Sequence, residues 1–181
     1  MNKKAIKGWC IACAIFMCVM GSLFHFVYEW SGNNCFVGIF TPVSESVWEH
    51  LKLSFYPLLL FSVVDWHYLK DISRNYFLSK AVGVLTCNLF IVVVFYAYTF
   101  FTGKSMVWVD ISLFFIGCII SQIVSYKLYT YRNLGVNFNI LGFILISLSI
   151  MLFTYFTFNP PISLGIFRSS SGCIFKYILR L

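Results

Sequence analysis

The sequence predicts an all-α, polytopic transmembrane helix bundle of about five spans with its N-terminus inside, and three observations predict it. Of the 181 residues, 60% are hydrophobic and only 10% are charged, against roughly 25% charged in soluble globular chains. Apolar runs long enough to cross a bilayer recur along the whole length. Basic residues gather on alternate connections between those runs, which is positive-inside topology rather than a nucleic-acid surface. The net charge of +7 is read in that light. At this length a single transmembrane domain, 1–181, accounts for the chain, with no room for a separate soluble module.

A spanning helix needs about 20 mostly apolar residues. Runs at about 6–29, 51–69, 80–102, 106–127 and 136–158 qualify. Lys3, Lys4 and Lys7 precede the first run; Lys70, Arg74 and Lys80 follow the second; Lys127 and Arg132 follow the fourth. Only Lys52 and Lys104 fall near the opposite ends. This order puts the N-terminus in the cytoplasm and makes 159–181 an extracytoplasmic tail, although Arg168, Lys176 and Arg180 run against the pattern. The basic start followed by an apolar run imitates a signal peptide, but no small-x-small cleavage site precedes Trp30, so the run is expected to stay as a span. The five tryptophans, Trp9, Trp30, Trp48, Trp66 and Trp108, fall at predicted span ends, where indole rings prefer the headgroup level. Pro160 and Pro161 end the fifth span.

The second span is expected to begin earlier than hydropathy suggests, at about 42–69. Thr41 is suited to cap it with Pro42 at the first helical position, or Ser46 and Glu49 form a capping box. Such a helix is about 40 Å long, more than the ~30 Å hydrocarbon core, and Pro57 interrupts its backbone ladder. Inside the spans, Asn88, Ser121 and Gln122 suit interhelical hydrogen bonds, with a polar pathway as the alternative for Asn88 and Gln122. Gly21, Gly83, Gly117 and Gly142 suit close helix approach. Of the seven cysteines, Cys10, Cys13, Cys18, Cys87 and Cys118 lie in apolar runs and read as packing, whereas Cys35 and Cys173 both fall outside, leaving a bridge between them open.

The chain has six acids and three histidines. On this topology Glu29, Glu45, Glu49 and Asp110 gather at the outer ends of spans together with His25 and His50. Ionisable groups at membrane depth cost several kcal/mol and usually face a partner or a cavity. His25 and Glu29 stand one turn apart on one helix face, as do Glu45 and Glu49, with His50 about 100° around from Glu49. Carboxylates and imidazoles converging from two helices are what a metal site in a bundle requires. A divalent metal such as zinc, held by His25, Glu29, Glu49, His50 and Asp110, would activate water for hydrolysis. Without metal, Glu45 and Glu49 with His50 would supply paired acid and base groups.

Each of these residues also has a plain structural explanation. His25 with Glu29 makes a helix-end ion pair, Glu49 caps its helix or pairs with Lys52 at i+3, and Glu45 and Asp110 suit helix N-termini. Asp65 and His67 read as an interfacial anchor with Trp66 and Tyr68. No HExxH, GxSxG or phosphate-binding loop is present.

The run Phe24 to Asn33, with His25 and Glu29 inside it, followed by Thr41-Pro42-Val43-Ser44-Glu45-Ser46-Val47-Trp48-Glu49-His50-Leu51-Lys52, resembles a group of small uncharacterised membrane proteins common in Firmicutes. Their signature reads Pro-Val-Asn-Glu-Ser-x-Trp-Glu-His-x-Lys, and Ser44 stands here where Asn is usual. The resemblance covers most of the chain through the fifth span. It implies a multi-pass protein of the bacterial cytoplasmic membrane and brings no activity with it. After Pro161 the likeness ends: a Leu-Phe-x-Asp-Pro pattern is expected there and Ile162 to Arg168 does not supply it.

Three functions are compatible with these residues. The first is a membrane-embedded hydrolase or lipid-modifying enzyme acting on a lipid or small molecule at the outer face. The second is a transporter subunit or sensor that binds a cation or proton, working as a homo-oligomer because five spans are few for transport. The third is a structural or partner-binding protein with the bilayer as its main partner.

Overall fold

The computed structural model describes residues 2–168, all helical or irregular. Five long helices run alternately up and down: α1 (Lys3–Trp30), α4 (Lys52–Leu69), α5 (Tyr76–Thr102), α6 (Val107–Thr130) and α7 (Val136–Phe158). Two short helices, α2 (Cys35–Phe40) and α3 (Val47–His50), lie between α1 and α4, and a 3₁₀ turn, Gly165–Phe167, follows α7. The α5–α6 hairpin forms the centre; α7 packs on α5, and α1 packs on both α4 and α6.

Four of these helices, α1, α5, α6 and α7, are long and apolar enough to cross a membrane. Their outward faces carry exposed aliphatic and aromatic side chains, while burial is confined to the inner stripe, as expected of helices whose outer solvent is lipid. The second predicted span differs from the expectation. No helix runs on from residue 42: Thr41–Ser46 is irregular, α3 makes one turn, and α4 begins only at Lys52. At 18 residues it measures about 27 Å and carries Lys52, Asp65 and His67, so it lacks the long apolar stretch that the other four helices have. The capping box is half realised. Ser46 Oγ accepts from the Glu49 amide at 3.3 Å, but the Glu49 carboxylate reaches back to Val43 rather than to Ser46.

Pro57 has no amide hydrogen, so the Leu53 carbonyl loses its partner one turn earlier. That carbonyl lies against Gly21 of α1, where a Cβ would sit 2.5 Å from it. The other three glycines singled out by sequence serve the same purpose: added Cβ atoms would meet Ser125 and Ser121 at Gly83, Cys87 at Gly117 and the Leu78 backbone at Gly142. Polar contacts tie the same interfaces. Ser54 donates to Asn88 Oδ1 at 2.6 Å, Gln122 donates to Met17 Sδ at 3.3 Å, and Ser125 donates to the Ser79 carbonyl at 3.0 Å. Asn88 and Gln122 are therefore interhelical glue. Cys10, Cys13, Cys87 and Cys118 are buried free thiols and Cys35 is exposed; Cys173, and with it the bridge to Cys35, lies outside the described residues.

At the end of the bundle opposite α2 and α3, one side chain clasps two connections. Asn75, in the left-handed conformation at φ 53°, donates to the carbonyls of Leu128 and Arg132 and accepts from the Leu134 amide. Asp65 and Lys80 meet nearby. Asp65 is not the interfacial anchor expected beside His67; it is buried, accepting from Lys80 Nζ at 2.5 Å and from the Tyr76 hydroxyl. His67 is exposed and, among the described residues, bonded only within its own helix, to the Val63 carbonyl at 3.0 Å. Lys80, counted by sequence with Lys70 and Arg74 in the positive-inside pattern, is fully enclosed. The tryptophans also divide: Trp30 and Trp108 are largely exposed, whereas Trp48 packs on Phe153, Phe156 and Phe167 with ring centroids 5.0–5.4 Å apart.

Candidate functional site

The segment between α1 and α4 is built to hold its side chains in fixed places. Gly32 and Asn33 adopt positive φ and end α1 by bonding back to Glu29 and Tyr28, the usual use of the left-handed region at a helix C-terminus. Asn34 then caps α2. Gly38 of α2 comes so close to Val43 that a Cβ would lie 2.6 Å from its methyl group.

Lys52 fastens this segment to the bundle. Its ammonium lies 2.7 Å from Glu49 Oε2, 2.9 Å from the Gly38 carbonyl, 3.3 Å from the Thr41 carbonyl and 2.5 Å from Thr157 Oγ1 on α7. Glu49 Oε2 also accepts from the Val43 amide at 3.0 Å. Both charges are buried. A buried ion pair is stable only when its remaining donors and acceptors are satisfied, and here backbone and Thr157 satisfy them. The i+3 pairing of Glu49 with Lys52 is therefore its structural role, and its carboxylate is bonded to Val43, Lys52 and Thr157 and to neither histidine among the described residues.

With that anchor in place, three side chains converge. His25 of α1, Glu45 of the irregular segment and His50 of α3 each offer a ligand atom, and these atoms all lie within 4.8 Å of one another. His50 Nε2 is 3.3 Å from Glu45 Oε2, and its Nδ1 donates to the Ser46 carbonyl at 2.9 Å. The rings of His25 and His50 are 5.2 Å apart. His25 Nδ1 is buried with no hydrogen-bond partner among the described residues. The group sits at the edge of the bundle: Glu45 is exposed, and both histidines are half-buried.

The other sequence candidates lie elsewhere. Glu29 is exposed, one turn beyond His25, and outside the group of three. Asp110 accepts from the Tyr98 hydroxyl across the α5–α6 hairpin, and the same hydroxyl accepts from the Met106 amide at 3.1 Å. Of the residues proposed from sequence, the structure thus brings together His25, Glu45 and His50 and separates off Glu29, Glu49 and Asp110. Sequence reasoning offered Ser46 as a cap and Lys52 as the i+3 partner of Glu49; what it missed is that Ser46 also holds His50 and that Lys52 reaches Gly38, Thr41 and Thr157.

Charge on the trio is coupled. The hydrogen bond from His50 holds the Glu45 carboxyl below its ordinary value, against the opposing effect of burial. Burial disfavours the His50 cation, but the Glu45 carboxylate and the Ser46 carbonyl outweigh it and raise the imidazole above its ordinary value. A lowered carboxyl contributes stability above its unfolded value and loses it as pH falls through the folded one; a raised imidazole contributes below its unfolded value and loses it as pH rises through the folded one. The pair's contribution is therefore complete between 4.5 and 6.5, the ordinary values of the two groups.

Two outcomes follow. In metal-free protein the His50 imidazole titrates above 6.5 by NMR, and Glu45→Gln moves it down. Lys52→Met, which leaves Glu49 buried and uncompensated, lowers unfolding stability in detergent by about 3–5 kcal/mol; a loss under about 1 kcal/mol, the scale of an exposed pair, contradicts the anchoring role.

No curated protein and no solved structure matches the chain. The model of a family of unknown function, DUF6512, matches residues 1–176, and the chain belongs to that family.

Proposed function

We propose that this chain is a membrane metalloprotein in which His25, Glu45 and His50 hold one divalent cation, zinc by the donor set, with a position left open to water as in hydrolases. One observation carries the reading: three side chains of kinds suited to zinc converge from three separate chain segments to within 4.8 Å. Two imidazoles and one carboxylate make a donor set known from catalytic zinc sites, where the fourth position belongs to water or substrate. In a zinc tetrahedron with bonds of about 2.0–2.1 Å, neighbouring ligand atoms stand roughly 3.3–3.4 Å apart, and His50 Nε2 and Glu45 Oε2 are already at 3.3 Å.

The protons agree with this. The Ser46 carbonyl accepts a hydrogen bond from His50 Nδ1, so Nε2 is the nitrogen left to bind a cation, the outer-sphere arrangement that fixes metal-ligating histidines. A bound ion would compete with the proton between His50 Nε2 and Glu45 Oε2, which stand 3.3 Å apart. Affinity therefore weakens in acid, as that proton returns. The metal, when bound, would supply a water-derived nucleophile at neutral pH. Glu45 and His50 act as ligands in this reading, and Glu49 positions α3 through Lys52.

The membrane is, on the same reading, the bacterial cytoplasmic membrane with the N-terminus in the cytoplasm and the metal on the outer side. Lys3, Lys4, Lys7, Lys70, Arg74, Lys127 and Arg132 support it, because all are exposed at one end of the bundle. A periplasmic-type reporter fused at residue 103 is expected to be active, and activity instead of a fusion at residue 71 reverses the orientation.

Protein purified without chelator is expected to carry about one zinc per chain by elemental analysis. His25→Ala, Glu45→Gln and His50→Ala each weaken zinc binding at least about tenfold, while Asp110→Asn leaves it intact. Wild-type protein that holds no metal, and whose melting is unmoved by zinc or EDTA, rules the reading out.

A further inference from the structure

The surroundings of the trio say what such a site would take. We infer that its ligand is the headgroup of a zwitterionic phospholipid, with the phosphate on the metal and the ammonium on Glu29; this rests on the metal reading above.

The site opens sideways. His25 belongs to a helix long and apolar enough to cross the membrane, and its ring packs edge-on against Phe26 at 5.1 Å. Phe26 in turn stacks on Trp30 at 5.9 Å, and both rings are exposed. An exposed tryptophan at a span end marks the headgroup level. A molecule approaching the trio along α1 therefore meets lipid-facing aromatic surface.

The charges stand in the order a headgroup presents them. Two neutral imidazoles and one carboxylate leave a divalent ion with net positive charge, which favours an anionic oxygen at the open position. Glu29 lies four residues after His25, on the same face of α1 and about 6 Å nearer the helix end. Its carboxylate is exposed and, among the described residues, takes no hydrogen bond or ion pair. In a phospholipid such as phosphatidylethanolamine or phosphatidylcholine the ammonium projects outward beyond the phosphate. The cation at His25 and the anion at Glu29 match that sequence.

Cobalt(II) substituted for zinc reports on this without turnover, because its visible spectrum changes when the open position is filled. Cobalt-loaded protein in maltoside is titrated with short-chain phosphatidylethanolamine, with phosphatidylglycerol of equal chain length, and with free phosphoethanolamine. The expected result is a spectral change with phosphatidylethanolamine at a concentration about tenfold lower than with phosphatidylglycerol, the scale of one charge-assisted contact. Glu29→Gln, an exposed change that leaves cobalt content intact, brings the two lipids to within about twofold. Equal affinities in the wild type, or a preference that survives Glu29→Gln, overturn the inference. Free phosphoethanolamine binding as tightly as the lipid overturns it too, and marks a soluble ligand instead. A protein that takes up no cobalt overturns the metal reading itself, and is recognised before any lipid is added.

Discussion

Lys52 stands at the first turn of α4 with no exposed surface, surrounded by the Glu49 carboxylate, two backbone carbonyls and Thr157. Removing two opposite charges from water is costly, and only a complete set of partners makes it tolerable. That requirement ties together four pieces of chain: α2 through Gly38, the irregular segment through Thr41 and Val43, α3 through Glu49, and α7 through Thr157. The segment 31–51 is thereby held on the end of the bundle rather than left as a loose connection. His50 immediately follows Glu49, and Glu45 lies one residue before the Ser46 cap, so the placement of the trio depends on this one pair.

The Asp65–Lys80 pair does for the opposite end what Glu49–Lys52 does for the site. Both pairs lie near the ends of α4, which lacks the long apolar stretch of the other four helices, and join it to its neighbours. Between them the helices approach through glycine and short hydroxyl residues, as at Gly83 against Ser121 and Ser125. Among apolar surfaces in lipid, such close contacts and buried polar bonds are what gives helices a fixed arrangement. The structure therefore combines a rigid frame with a polar group of three on its rim.

Much of this was legible in the sequence because the bilayer imposes simple rules. Span length, cation asymmetry and the four close-packed glycines follow from local composition, and the structure bears each glycine out. The start of α4 was misread. Hydropathy alone put it near residue 51, beside the observed Lys52, and its end at Leu69; two capping signals drew the expected start back to residue 42, where the contacts of Val43 and Thr41 with Glu49 and Lys52 keep the chain irregular. Lys80 and Asp65 misled for a related reason: a charge near a span end looks the same whether it faces water or a partner fifteen residues away. At the site, i,i+4 spacing correctly grouped acids with histidines but gave no direction. It paired Glu45 with Glu49, whereas the break before α3 sends one carboxylate to His50 and the other to Lys52.

The chemistry that results is a half-buried imidazole pair facing one accessible carboxylate, while Nδ1 of His50 is held by Ser46, Glu49 by Lys52 and Asp110 by Tyr98. X-ray absorption at the zinc edge on purified protein tests the metal centre most directly. The account predicts a shell of nitrogen and oxygen at about 2.0–2.1 Å with the multiple-scattering signature of two imidazoles, reduced to one in His25→Gln. A sulfur shell at about 2.3 Å, which would assign the metal to cysteines, or zinc-free protein would contradict it.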